Sequence, residues 1–253
     1  MLQWLRRRIA GPDPIADADW RATREAIALL DGLDAGSLER LRQLTSRFLH
    51  DKDIVGAGDL ELSAHDRRVI ATLACLPVLS LGYGWLGGWR QVIVYGDAFR
   101  VRREWHDENS GVVTEGDDWL AGEAWQQGPL VLSLADIQAD LDDPHAGFNL
   151  VAHEIAHKLD MLDGHSDGVP PLPDRARHRQ WLTVFQREFD SMRTRVEAGQ
   201  DTFLDPYAGE APDEFFAVAS EAYFSCPRAL AAAHPALHRE LRAFYGVEPD
   251  LPA

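Results

Sequence analysis

Apolar residues recur at helical spacing through the first third of the chain and again through its second half, with two short β-like runs between. The pattern over about residues 20–30, beginning at Trp20, predicts a helix. Ser37 is a good N-cap, and Leu38, Leu41, Leu44 and Phe48 follow it at helical intervals. Ser63 caps a third predicted helix, in which Val69, Ile70, Leu73 and Ala74 lead to Leu76 before Pro77 interrupts. After a lead-in broken by Gly11, Pro12 and Pro14, roughly the first eighty residues are therefore expected to be helical. The texture changes at Gly82, Gly84, Gly87 and Gly88, which punctuate an aromatic region around Trp85 and Trp89. Residues 91–95 (QVIVY) and 128–134 (GPLVLSL) read as strands, and Val112 and Val113 suggest a short strand in the polar stretch between.

The second half returns to helical spacing. A short helix is expected over 135–141 and a stronger one over about 146–162. A Gly- and Pro-rich loop follows to Pro173. Residues 175–197 form a charged amphipathic pattern with Trp181, Leu182, Phe185, Phe189 and Met192 inside. Residues 212–224 read as an apolar helix with Pro212 in the first turn, where proline is tolerated, and 235–245 as a last helix. No repeat and no low-complexity linker divides the chain.

Composition narrows the classes. The 253 residues are 45% hydrophobic and 26% charged, an ordinary globular balance, and long enough to bury a core without staples. With 25 basic and 41 acidic residues the net charge is −16, which argues against direct binding of nucleic acid. The two cysteines, Cys75 and Cys226, form no CxxC and exclude a disulfide framework or a cysteine zinc site. Both are read as buried free thiols, which suits a reducing cytosol. No apolar run could span a membrane, and the opening MLQWLRRRIAGPDP lacks the apolar core of a secretory signal. Trp4, Leu5 and Ile9 beside Arg6, Arg7 and Arg8 are read as a loosely packed terminus rather than a membrane contact. A cytoplasmic protein is the expectation.

The chemistry sits in residues 149–160, NLVAHEIAHKLD, which contain HExxH. Histidines at i and i+4 stand about 40° apart on a helix, so His153 and His157 can reach one metal from one face. Glu154 lies about 100° round from His153, beside the ligand row, where a base for a metal-activated water belongs. Phe148, Val151, Ile155, Leu159 and Leu162 fall on the opposite face. Asp160 returns to the histidine face and could either orient a ligand histidine or remain an exposed or capping carboxylate.

A hydrolytic zinc needs a third protein ligand and an open fourth position. The metzincin continuation is absent, because Asp160 and Asp163 stand where glycine and histidine would be required. A downstream glutamate is the alternative. Glu214 and Glu221, seven residues apart on one face of the apolar helix beginning at Pro212, are both candidates. A closed structural site would instead recruit a fourth donor such as His165 or His178, but would leave Glu154 without a task.

Together with residues 76–89 (LPVLSLGYGWLGGW), 125–138 (WQQGPLVLSLADIQ), 147–164, 205–208 (DPYA) and 212–227 (PDEFFAVASEAYFSCP), the chain resembles the Mlc titration factor A family of bacterial zinc metallopeptidases. That family is gluzincin-like and related in active-site plan to the catalytic part of anthrax lethal factor. The resemblance implies one zinc ion held by His153, His157 and Glu214, with Glu154 as general base and Glu221 as a supporting acid. It also implies that Tyr207, shortly before the third ligand, could donate to the oxyanion of a tetrahedral intermediate. The implied activity is hydrolysis of peptide bonds, in aminopeptidase fashion; residues 130–134 are a candidate edge strand whose backbone an extended peptide substrate could pair with. An aminopeptidase needs a further carboxylate for the free amine, for which Glu115, Glu123 and Glu210 are candidates. The competing expectation is a regulatory protein that sequesters an Mlc-like transcription repressor, using exposed aromatics such as Trp105, Trp119 and Trp125, with catalysis secondary. The expected fold is α+β: a helix-dominated, zincin-like single domain over 1–253, with a helical part to residue 80, a catalytic part from 81, and a small mixed sheet against the HExxH helix.

Overall fold

The computed structural model describes residues 11–97 and 128–247. Helix α1 (Asp17–Glu25) leads through a 3-10 turn (Ala28–Leu30) to α2 (Ala35–Asp51), strand β1 (Asp53–Gly56) and α3 (Ala64–Cys75). After a second 3-10 turn (Tyr83–Leu86) come β2 (Gln91–Tyr95), β3 (Leu130–Ser133), α4 (Leu134–Asp142) and α5 (Leu150–Asp160). The remainder is α6 (Arg175–Glu197), α7 (Pro212–Ser225), α8 (Pro227–Ala233) and α9 (Pro235–Tyr245), with a 3-10 turn (Pro206–Gly209) before α7. The fold is helix-dominated α+β, as the spacing predicts.

Side-chain caps explain several boundaries. Ser63 and Asp66 form a reciprocal capping box at the start of α3. Helix α2 begins earlier than expected, because Asp34 accepts from the amides of Gly36 and Ser37, so Ser37 is inside the first turn. Helix α5 begins at Leu150 rather than 146, since Asn149 caps it by accepting from the amide of Ala152. Helix α1 ends at Glu25, and the tail of the predicted helix is the separate 3-10 turn. Strand β3 stops at Ser133, which caps α4, so Leu134 is helical.

Two elements depart from the sequence pattern. Strand β1 lies inside the stretch read as helical, and α8 was not foreseen. β1 has only four residues, too few for alternation to stand out against the flanking helices. The described strands also run all parallel, in the order β1-β2-β3, rather than mixed. Ile54, Val92, Val94, Leu130 and Leu132 are buried on one face of the sheet, while Val55, Ile93 and Val131 share one row of the register on the other.

The core behind α7 is aromatic. Trp181 stacks on Phe185 at 3.9 Å and meets Phe216 and Phe244 edge-on, each at 5.5 Å. Phe185, Phe189 and Met192 are buried as expected, but Leu182 is 41% exposed. Cys75 is buried and Cys226 is only half-buried; both are free. Residues 4–9, Val112, Val113, Glu115, Glu123 and Trp105, Trp119 and Trp125 lie outside the described residues.

Candidate metal centre

Helices α5 and α7 pack on each other and bring the predicted donors together. Nε2 of His153 and Nε2 of His157 lie 3.1 Å apart, 3.3 and 3.5 Å from Oε2 of Glu214. Among the described residues, His153, His157 and Glu214 form the cluster able to hold a metal ion. Two metal–ligand bonds of ~2.05 Å at a tetrahedral angle place the ligand atoms ~3.4 Å apart. The three observed separations bracket that value. Oε2 of Glu214 is buried, and no described group hydrogen-bonds to it, although two imidazoles stand close. A buried carboxylate oxygen lacking a directed partner, inside a triangle of donors, suits a cation.

The other carboxylate of the pair has a different task. Glu221 is buried, and its Oε1 accepts from Nδ1 of His153 at 2.5 Å while its Oε2 accepts from the backbone amide of Asn149 at 3.1 Å. One side chain thus holds the helix start and the first histidine, and leaves Nε2 of His153 facing Glu214. Oδ2 of Asp140 accepts from the amide of Leu150 at 2.8 Å, tying α4 to the same helix start. No spacing in the sequence signals Asp140, because its partner is set by how α4 docks.

Glu154 is half-buried in the wall of a cavity of about 240 Å³, together with the three clustered residues, Tyr207, Lys158, Met161, Pro129 and Val131. Tyr207 is placed by the 3-10 turn at Pro206–Gly209, where Asp205 accepts from its backbone amide. Its hydroxyl donates to Oε1 of Glu214 at 2.9 Å. Lys158 is buried beside Glu154 and donates to the carbonyl of Gly128 at 3.0 Å, joining α5 to the approach of β3. Burial lowers the pKa of its amine, against the pull of Glu154.

Asp160 does not orient a histidine. It is fully buried, and its Oδ2 accepts from the amide of Gly168. His165 and His178 are exposed and outside the cluster, and Glu210 is exposed and outside the cavity lining.

The electrostatics follow from this packing. Burial opposes charge on His153, but the carboxylates of Glu221 and Glu214 outweigh it and push the imidazole up to about 9. Burial likewise raises the carboxyl of Glu214, but the imidazoles of His153 and His157 beside it hold it well below the usual range. A metal bound by these donors would displace the extra proton.

The chain matches, over residues 1–246, the protein family described as glucose-regulated metallo-peptidase M90. Mlc titration factor A of Cronobacter sakazakii is 37% identical over 239 residues, covering 94% of this chain and 89% of that protein. The protein of the same name from Escherichia fergusonii is 38% identical over 229 residues, 89% of this chain and 85% of its own. That of Yersinia enterocolitica is 36% identical over 252 residues, 98% and 92%.

Proposed function

The chain belongs to the glucose-regulated metallo-peptidase M90 family, and from that membership and the site geometry we propose a zinc-dependent peptidase. His153, His157 and Glu214 would hold the ion. The convergence of their three donor atoms, with Oε2 of Glu214 buried and unbonded, is the observation that carries this reading. The donor set of two imidazoles and one carboxylate suits zinc and leaves a position open. Zinc, when bound, supplies Lewis-acid polarisation of a water and of the scissile carbonyl.

The chain's own residues do the rest. Glu154 accepts the proton of the attacking water and returns it to the leaving amine. Glu221 keeps the His153 ring turned so that Nε2 stays available. The Tyr207 hydroxyl, already in the cavity wall, turns from Glu214 to donate to the developing oxyanion. Pro129 and Val131 bring β3 to the cavity, so an extended peptide could pair along that strand. The aminopeptidase reading rests on the family resemblance. Besides Glu154 and Glu214, the described lining offers no carboxylate for a free amine.

Zinc-loaded wild type and Glu154→Gln should be compared on amino-acid and peptide amides, with and without N-terminal blocking. The expected result is turnover in the wild type that a chelator abolishes, and a loss of about 10²–10⁴-fold in the variant at equal zinc content. Preference for free amines supports the exopeptidase reading, and indifference to blocking removes it. Equal turnover by both proteins would take Glu154 out of the mechanism.

The name of the relatives, Mlc titration factor A, favours a second reading. The protein would bind an Mlc-like repressor protein, with catalysis secondary. Glu154→Gln should then retain repressor binding in a pull-down while losing turnover. Cytoplasmic residence fits both readings, and no described helix is long and apolar enough to cross a membrane.

A further inference from the structure

The loop after α5 returns to the site it has just left. At its centre Gly168 is buried, with φ +75°. Its amide donates to Oδ2 of Asp160 on α5 at 2.9 Å. Its carbonyl accepts from Nε1 of Trp181 on α6 at 2.9 Å. A Cβ at this position would stand 2.4 Å from the carbonyl oxygen of Pro212, in the first turn of α7. Two residues earlier, Oγ of Ser166 donates to Oδ2 of Asp213 at 2.9 Å. One short loop therefore touches three helices and seats against the residues immediately before Glu214.

We propose that this loop is a strut for the metal site, in which Asp160, acting through Gly168, is a positioning residue that sets where Glu214 stands relative to His157. The inference rests on reading Glu214 as a metal ligand. Asp160 lies three residues beyond His157 on the same helix, and Asp213 directly precedes Glu214. A fixed distance from Asp160 across the loop to Pro212 therefore fixes the gap that the ion must bridge. Only glycine suits the crossing point, since a side chain there would meet the Pro212 carbonyl and the backbone is left-handed. Burying a carboxylate at Asp160 is costly unless its bond does something. Among the described residues only one of its two oxygens is bonded, which leaves the Gly168 amide as its visible task.

The test measures zinc affinity by chelator competition and the cobalt absorption spectrum, which reports coordination independently of turnover. Asp160→Ala should weaken zinc binding by about 10–100-fold and alter the cobalt spectrum. Asp160→Asn keeps an oxygen for the Gly168 amide and should restore affinity to within a few-fold of wild type. Should Asp160→Ala fail to fold, Ser166→Ala combined with Trp181→Phe loosens the strut from its other two contacts, and about tenfold weaker zinc binding is expected. Unchanged affinity and spectrum in a folded Asp160→Ala, or in that double variant, would overturn the strut and leave a stabilising role only. Wild type and His153→Ala binding zinc equally well would instead overturn the metal site, and the strut with it.

Discussion

Helix α7 has two faces, and they are built on opposite terms. Toward α6 and α9 it presents Phe215 and Phe216. Phe216 lies 5.5 Å from Trp181 and 6.1 Å from Phe244, and Phe215 lies 5.9 Å from Phe185 and 5.8 Å from Phe189. The polar reach of that cluster, Nε1 of Trp181, is bonded. Toward α5 the same helix presents Glu214 and Glu221, with an imidazole cluster opposite and a buried oxygen left without a directed bond. The aromatic face is rich in contact energy and poor in chemistry; the acidic face is the reverse. Three donors crowded at one point are tolerable because the helix carrying one of them is held from behind.

The aromatic face is expected to be the main source of stability. Trp181→Ala should cost about 3–5 kcal/mol, read by denaturant unfolding. The fraction that remains folded should still bind one zinc. A loss under about 1 kcal/mol would mean that α7 is held by something else.

Glu221 sharpens the opposite face. Glu221→Ala should weaken zinc binding by about 10–100-fold, because the His153 ring loses the carboxylate that orients it. Its effect on unfolding should be smaller than that of Trp181→Ala. Equal zinc affinity would show that helix packing alone orients the ring.

Asp160 adds a pH signature in the metal-free protein. Burial raises its carboxyl from 3.8 to about 7; Asp167 and Asp213 add to this, while the Gly168 amide and His157 oppose it. The folded state therefore keeps a proton that the unfolded chain has released. This contribution to stability is complete below about pH 4 and is lost as pH rises to about 7. The expected size is about 1–2 kcal/mol, discounted from the full linkage value for relaxation and water entry. Asp160→Asn should flatten this part of the stability–pH curve, and an unchanged slope would assign it to another group.

The smallest effect is expected at the N-terminus of α3. Ser63→Ala removes the capping box of α3 and should cost about 1 kcal/mol with no change in zinc affinity.

Much of this plan was legible in the linear pattern. The helices from Arg175, Pro212 and Pro235 end within a residue of the places that apolar spacing and proline position indicate. His153, Glu154 and His157 were legible for the same reason, since i and i+4 on a helix share a face whatever surrounds it. Strand β1 was not, because four residues acquire strand identity only by pairing with β2. Nor was the parallel sense of the sheet, which depends on how the chain crosses over. Glu214 and Glu221 share one spacing and one apolar helix, so local pattern left either able to serve as the ligand. The family resemblance separated them; in the structure Glu221 meets Nδ1 of His153, while Glu214 meets both Nε2 atoms.

The linear pattern of the chain set the local phase of each helix and the shared face of His153 and His157. These follow from backbone periodicity and side-chain type, which act over a few residues. Packing alone decided that Glu214 stands against both Nε2 atoms and Glu221 against Nδ1 of His153, that Asp160 turns toward Gly168 rather than toward a histidine, and how near α7 comes to α5. The first and last depend on elements far apart in the chain, 68 residues for His153 and Glu221, and all three are settled by packing across the core, not by any pattern along the chain.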